Sequence, residues 1–345
     1  MIEELLERVY ERDELAALDP PARRLALRAL VAGAGPEDAP QVLRRLVDEV
    51  DGFGILAPLI ADETVTDVLV NGPDEIWVER AGALEHTSLR FRDPAALGAL
   101  VNRLLSAAGA RADSSHPIAD ARLPGGARMH VVLPPVAPAG PLVSIRTFPA
   151  TPLTLEDLVA RAMLTAEQGA ALRTLVRART SIAIGGRTGT GKTTLLNALL
   201  GELPSAERVV VVEETPELRP RCGHAVSLVT RVANVEGRGG IDLACLVRAA
   251  LRMRPDRIVV GEVRGAEALP ALSALSTGHE GSLLSVHARS AAQVLDRLVS
   301  LALEAGSPAS ERSLREIARA SFGAILHLDR DGAGHRRVVE ILEVG

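Results

Sequence analysis

A chain of 345 residues is long enough for two globular domains, each burying its own core. Its 47 % hydrophobic content comes mainly from Ala, Leu and Val with only 2 % aromatic residues, and no apolar run reaches the roughly 18 residues of a membrane span. The net charge of −5, the absence of a basic signal-like start, and 2 cysteines (Cys222, Cys245) too distant for a C-x-x-C pair argue against a nonspecific nucleic-acid binder, a secreted protein and a zinc site. A cytoplasmic protein without a transmembrane segment of its own is expected.

Residues 1–50 predict a helical extension. Ile2, Leu5, Leu6 and Val9 recur at helical spacing, Pro20-Pro21 interrupts, and Arg23–Val31 and Gln41–Val50 resume the pattern. With 11 acidic residues against 7 arginines the extension carries −4 of the total charge, which suits either a solvated cap or a docking element.

Residues 51–148 predict an α+β domain. Val65–Val70 and Glu75–Glu79 read as strands joined by the turn Asn71-Gly-Pro-Asp74, and Ala81-Gly82 makes the next turn. Asp93 as N-cap, Pro94 at the first position and Gly109 as stop frame a helix to Ala108. Ile118–Leu123, Ala127–Leu133 and Val143–Phe148 complete a largely antiparallel sheet. Arg111, Arg122, Arg128 and Arg146 recur near its strand ends, where a single arginine is more often a solvated charge than a ligand contact.

A linker at 149–155 leads into the second domain, 156–345. Thr154 with Asp157 and Thr165 with Gln168 form capping boxes that start two helices. The strand Ser181–Ile184 then runs into Gly-Gly-Arg-Thr-Gly-Thr-Gly-Lys-Thr-Thr, Gly185 to Thr194, which fits the phosphate-binding loop pattern with Gly186, Gly191, Lys192 and Thr193 in place. Glycines let backbone N–H groups converge on an anion, the following helix adds its dipole, and the lysine and hydroxyl complete a site for a nucleoside triphosphate and Mg²⁺. Of the 39 basic residues, Lys192 is the sole lysine. Elsewhere arginine serves; in this loop a compact ammonium is required.

Beyond the loop, strands at Val209–Val212, Arg257–Val260 and Ser282–Val286 alternate with helices at Ile241–Met253, Ala266–Leu275 and Ala291–Leu303, which argues a mostly parallel sheet covered by helices. Ala324–Leu328 and Arg337–Leu342 close the chain as a hairpin-like pair. The strand ends carry the candidate chemistry. Glu262, at the end of Ile258-Val-Val-Gly-Glu262, would polarise the attacking water, or else pair with Arg264. Glu213-Glu214, with Glu217 beyond, would face a hydrated Mg²⁺ or belong to loop surface. His279 and His287 bracket the Ser282–Val286 strand, and one following that strand could sense a γ-phosphate.

Four segments in this order resemble the type II/type IV secretion ATPase superfamily. Gly186–Thr193 is similar to its Walker A loop, Val212–Leu218 to its acidic box, Leu251–Gly265 to its Walker B strand with a Gly-Glu ending, and Ser276–Ala288 to its His box. Upstream, Asn71–Asp74, Asp120–Arg128 and Ser144–Phe148 resemble the CpaF-like branch, which drives tight-adherence (Flp-type) pilus assembly, so that the likeness spans about 52–345. It implies an α/β fold with a RecA-like P-loop ATPase core, and a cytoplasmic hexameric ring peripherally associated with the membrane. Its partners would be inner-membrane platform proteins, and pilus retraction or type IV secretion traffic are the alternatives to assembly.

In that ring, nucleotide would lie between the two domains of a subunit. Gly186, Thr188, Gly189, Thr190, Gly191, Lys192, Thr193 and Thr194 would bind ATP, with Arg128 and Arg146 completing the phosphate site and Arg111, Arg122 and Arg238 as additional candidates. Lys192, Glu262, Glu213, Glu214 and His287 would be the catalytic set, His279 an additional candidate, and Thr193 with Glu214 would hold Mg²⁺, partly through water. The family's usual Glu-Asp in the acidic box is Glu213-Glu214 here, one methylene longer, and the tetracysteine insertion of the type II secretion and pilus-extension branches is absent. The acidic balance speaks against a nucleic-acid motor, and the presence of Glu262 against an ATP-binding scaffold that does not hydrolyse.

Overall fold

Chain contacts divide the protein into two units, residues 1–150 and 151–345. The structure, a computed structural model, describes every residue except 1, 11, 13, 16, 17, 81, 148–151, 232–237, 333 and 345. Phe148, Ala81 and the first part of the expected 149–155 linker therefore lie outside the described residues.

The first unit opens with helices Ile2–Tyr10, Pro20–Ala34 and Ala39–Asp51. Pro20-Pro21 starts the second of them: Asp19 caps it by accepting from the Ala22 N–H at 2.8 Å, and proline costs nothing where no intrahelical N–H bond is made. Their apolar faces meet in small clusters, Leu5 with Val31, Val42 and Leu46, and Val9 with Leu15 and Leu27.

A six-stranded sheet follows in the order β3-β2-β1-β6-β5-β4. Its members are β1 Val65–Asn71, β2 Ile76–Arg80, β3 Ala83–His86, β4 Ile118–Arg122, β5 Arg128–Val132 and β6 Leu142–Arg146, every adjacent pair antiparallel. Helix Pro94–Ala107, capped by Asp93, lays Leu97, Leu100, Val101 and Leu104 on the inward residues Val68, Val70, Met129, Val131, Val143 and Ile145. Burying each of these contributes about 1.5–3 kcal/mol. The period-2 alternation turns the other residues of β4, β5 and β6 outward. β3 escaped the sequence reading because all four of its residues are exposed and give no alternation.

The second unit is a seven-stranded sheet in the order β13-β12-β7-β11-β10-β8-β9. Its strands are β7 Ile182–Gly186, β8 Arg208–Glu213, β9 His224–Val229, β10 Arg257–Val263, β11 Leu283–Val286, β12 Ala324–Arg330 and β13 Arg336–Glu343. All neighbours run parallel except β12 and β13, which form an antiparallel hairpin. β7 and β11 are buried along their whole length because helices cover both faces, as near-continuous apolar strands require. One face packs helices Leu243–Ala250, Ala268–Ser276, Ala292–Glu304 and Glu311–Ser321; the other packs Leu155–Ala160, Ala166–Arg177 and Lys192–Leu200. Both capping boxes form as expected, Thr154 with Asp157 and Thr165 with Gln168. The helix expected over 241–253 is shorter, because Asp242 caps it by accepting from the Cys245 N–H at 2.7 Å. Edge strand β9 and helix Glu311–Ser321 are additions; that helix is capped by Ser310 and buries Leu314, Ala318 and Ser321.

At the amino-terminal edge of this sheet, the fully buried Arg257 guanidinium meets Glu207 at 2.5 Å and donates to the Gly281 carbonyl at 3.2 Å, and Glu207 also accepts from Arg179 at 3.0 Å. This pair ties the starts of β8, β10 and β11 together. Glu207→Ala strands a buried cation, so a loss of about 3–5 kcal/mol is expected in denaturant unfolding. A loss below about 1 kcal/mol would mean that Arg257 finds water or another acceptor.

Candidate active site

The loop after β7 lies at the carboxyl edge of the parallel sheet, where open α/β sheets bind ligands. Residues 187–189 are exposed, while Thr190 is buried and its hydroxyl donates to the Arg187 carbonyl at 2.8 Å. Helix Lys192–Leu200 begins at once, with Thr193 and Thr194 half-buried in its first turn. Gly191 caps it with φ 96°, a left-handed conformation that favours glycine, and a Cβ there would press on the flexible end of Met163 at 2.9 Å. The loop and helix start thus present backbone N–H groups to an anion.

Lys192 is buried, and its Nζ donates to the carbonyls of Gly186 at 3.0 Å and Arg187 at 3.2 Å. Glu262 Oε1 lies 3.4 Å from the same nitrogen. Burial pushes the ammonium pKa down from its ordinary value, against the opposing pull of Glu262.

Glu262 reaches this position through a bulge. Val260 pairs with Leu284 but Val263 with Val286, so Gly261 and Glu262 together face the single residue Ser285, whose hydroxyl donates to the Gly261 carbonyl at 2.6 Å. A bulge re-aims the side chain that carries it. A Cβ at Gly261 would sit 3.0 Å from Glu213 Cγ, so any larger residue there presses on that buried side chain. Burial works against the Glu262 carboxylate, but the Lys192 ammonium and the Arg264 guanidinium outweigh it, and its pKa is held below the ordinary value.

The adjacent carboxylates of the acidic box take different tasks. Glu213 is buried, and its Oε1 accepts from the Glu217 N–H at 3.0 Å and the Leu218 N–H at 2.9 Å, fixing the turn that follows β8. Glu214 is exposed and meets Arg264 Nη1 at 3.3 Å. His287, exposed just past β11, lines a cleft of about 490 Å³ with Thr188, Glu262, Arg264, Arg289, Gln293 and Arg297. His279 is not brought there. It precedes the opposite, amino-terminal end of β11, and its Nδ1 lies 3.1 Å from the Ala274 carbonyl oxygen. Arg238 is exposed beside residues 232–237, which lie outside the described set.

In the first unit, cross-strand register aligns Arg122 with Arg128 and Arg128 with Arg146, and Arg146 Nε donates to Asp67 at 3.0 Å on the next strand. The register thus gathers three arginines on one face of this sheet, with Asp67 meeting the row at its Arg146 end. Arg111 stands apart from this row, exposed and paired with Asp113 at 2.9 Å.

Arg330 was not anticipated. β12 lies beside β7 with Leu328 opposite Gly186, so Arg330 projects beyond it and its Nη2 donates to the Gly189 carbonyl at 3.0 Å. The two residues are 141 positions apart, and only the placement of the terminal hairpin joins them. Among the described residues no three His, Cys, Asp or Glu side chains converge as a metal cage. Thr193 in the first turn of the helix and the exposed Glu214 carry oxygen donors of the kind Mg²⁺ takes, one or two from the protein with phosphate and water completing its shell.

Comparison with known proteins agrees with this geometry. Residues 49–328 match the family described as Type II/IV secretion system protein. The Mycobacterium tuberculosis (strain ATCC 25618 / H37Rv) protein Rv3659c, provisionally named for conjugal transfer, is 44 % identical over 305 residues, 87 % of this chain and 86 % of that protein. The type IV secretion system protein VirB11 of Brucella suis biovar 1 is 32 % identical over 277 residues, 72 % of this chain and 76 % of its own. Among solved structures, the pilus retraction motor PilT with bound ADP superposes with a TM-score of 0.61 at 18 % identity, covering 84 % of this chain and 82 % of that one, and shows the same fold. That fold is the RecA-like ATPase core, and no helix among the described residues is long and apolar enough to cross a membrane. The chain belongs to the type II/IV secretion system protein family and is one of its ATPases.

Proposed function

We propose that the chain is the Mg²⁺-dependent ATP-hydrolysing motor of a tight-adherence or related type IV pilus assembly machine, working as a homo-hexamer at the cytoplasmic face of the membrane against inner-membrane platform proteins. The observation that carries the hydrolytic part is the bulged Glu262, whose carboxylate lies 3.4 Å from the loop lysine. In this reading Lys192 exchanges the Gly186 and Arg187 carbonyls for the β- and γ-phosphates, and the loop N–H groups from Gly186 to Thr194 surround the phosphate chain. Glu262 aligns a water on the γ-phosphorus and takes up its proton as the bond to the bridging oxygen breaks. His287, which lines the cleft with Glu262, faces the γ-phosphate in this reading. Thr193 and Glu214 would hold Mg²⁺, which supplies charge neutralisation on the phosphates. Glu213 serves this site through the turn it fixes.

The division into a 1–50 extension, a 51–148 amino-terminal domain, a linker and a 156–345 ATPase domain belongs to the same proposal. So does the assignment of Arg128 and Arg146, with Arg122, Arg111 and Arg238 as further candidates, to the phosphates. The alignment of Arg122, Arg128 and Arg146 across β4, β5 and β6, a local concentration of positive charge, supports it.

Purified protein is expected to release phosphate from Mg·ATP, with turnover per subunit rising as the sedimenting hexamer forms on concentration. Constant turnover while the oligomer dissociates would overturn the ring requirement. The names of the relatives favour a second reading, a type IV secretion traffic motor. Deletion of the gene separates the two: loss of surface fibres marks pilus assembly, whereas loss of conjugative transfer with fibres intact marks secretion.

A further inference from the structure

Arg264 follows directly on β10 and sits between the carboxylates of Glu262 and Glu214. Its Nη2 and Nε both donate to Glu262 Oε2, at 2.5 and 3.0 Å, while its Nη1 reaches Glu214 Oε2 at 3.3 Å. The Arg264 side chain is more than half exposed, so it is not required to fill the core. It is one link in an alternating series of charges, Lys192, Glu262, Arg264 and Glu214, that runs from the phosphate loop across the ends of β10 and β8. Two contacts on Oε2, together with Lys192 at Oε1, fix the orientation of the Glu262 carboxylate, and only a planar guanidinium can make both of the former while also touching Glu214.

We propose that Arg264 is the positioning residue of this site, with two separable tasks: it orients the Glu262 carboxylate for the attacking water, and it neutralises Glu214 so that the acidic box does not hold a divalent cation too tightly. The inference rests on the ATPase reading above. Removing the side chain has opposite effects on the two tasks. Glu262 loses its anchor and chemistry slows, whereas Glu214 loses its counter-charge and cation affinity rises. A residue with a merely structural role would weaken both.

The experiment uses the full chain and the variants Arg264→Ala, Arg264→Lys and Arg264→Ala combined with Glu214→Gln. Steady-state phosphate release gives kcat and KM, and binding of a fluorescent ATP analogue at increasing Mg²⁺ gives the half-saturating cation concentration. For Arg264→Ala, kcat is expected to fall roughly tenfold to a hundredfold, the cost of a misplaced catalytic group, with KM nearly unchanged. The Mg²⁺ midpoint of analogue binding should drop about three- to fivefold, the size of an exposed charge pair. Adding Glu214→Gln should cancel that drop, bringing the midpoint back to the parental value or above it because a cation ligand is lost as well, without restoring kcat. Arg264→Lys, a point charge, should restore the midpoint but not kcat. Parental kcat in Arg264→Ala, a midpoint that rises in that variant, or a lysine variant that recovers kcat would overturn the proposal. If the unaltered protein neither binds the analogue nor releases phosphate, the ATPase reading fails instead.

Discussion

Lys192→Ala is expected to abolish measurable ATP turnover, with at least the roughly 10²- to 10³-fold loss that follows removal of one preorganised electrostatic contact, and to weaken nucleotide binding as well. Folding should survive. The ammonium is buried against two carbonyls and one carboxylate, and burial depresses its pKa. A lysine whose folded pKa lies below its unfolded value destabilises the fold throughout the pH range below the folded pKa, and that cost fades only as pH rises between the two values. Near neutrality the apolar Lys192→Met should therefore melt no lower than the parent in the absence of nucleotide. ATP should raise the melting temperature of the parent and leave that of the variant unmoved. Lys192→Arg should not rescue turnover, since a branched guanidinium cannot follow the compact ammonium between the Gly186 and Arg187 carbonyls. Turnover near the parental rate in any of these variants would remove the loop lysine from the mechanism.

Local physics made most of the fold legible. The strands of the first unit show alternation, because one face packs helix Pro94–Ala107 and the other stays open. The strands β7, β8 and β10 of the second unit are continuous apolar runs, because both faces are covered. Side-chain caps fixed helix starts at Asp93, Thr154 and Thr165, where a single hydrogen-bonding residue decides the boundary. What was not legible depends on register or on distant pairing. The exposed β3 and the edge strand β9 carry no apolar period.

The site follows the same division. The phosphate loop is visible because its glycines and lysine are contiguous. The bulge at Gly261-Glu262 is invisible in one strand, since it exists only against β11. Glu213 and Glu214 read as a pair, yet the strand alternation sends one carboxylate into the sheet to hold a turn and leaves the other exposed beside Arg264. His279 and His287 bracket β11, and strand direction separates them. With β11 parallel to β7, only the residue after β11 can approach the loop.

Glu262→Gln should separate binding from chemistry. The amide keeps the size of the side chain and an acceptor for Arg264, so affinity for ATP should stay within a few-fold of the parent, while removal of the base should slow turnover by about 10²- to 10⁴-fold. Retained hydrolysis would require another residue to align the water. Acid titration offers a second, independent readout. The Glu262 pKa is held below its ordinary value because the charges of Lys192 and Arg264 outweigh the effect of burial. A carboxylate whose folded pKa is depressed contributes stability that is fully present above the unfolded value and is lost as pH falls through the folded one. Thermal melts of parent and Glu262→Gln should therefore differ by a constant amount near neutrality and converge below the ordinary glutamate range. Phosphate release by the parent should keep its acid limb below that same range. A limb at or above it would mean that some other group, not the paired Glu262, must lose its proton for the reaction to proceed.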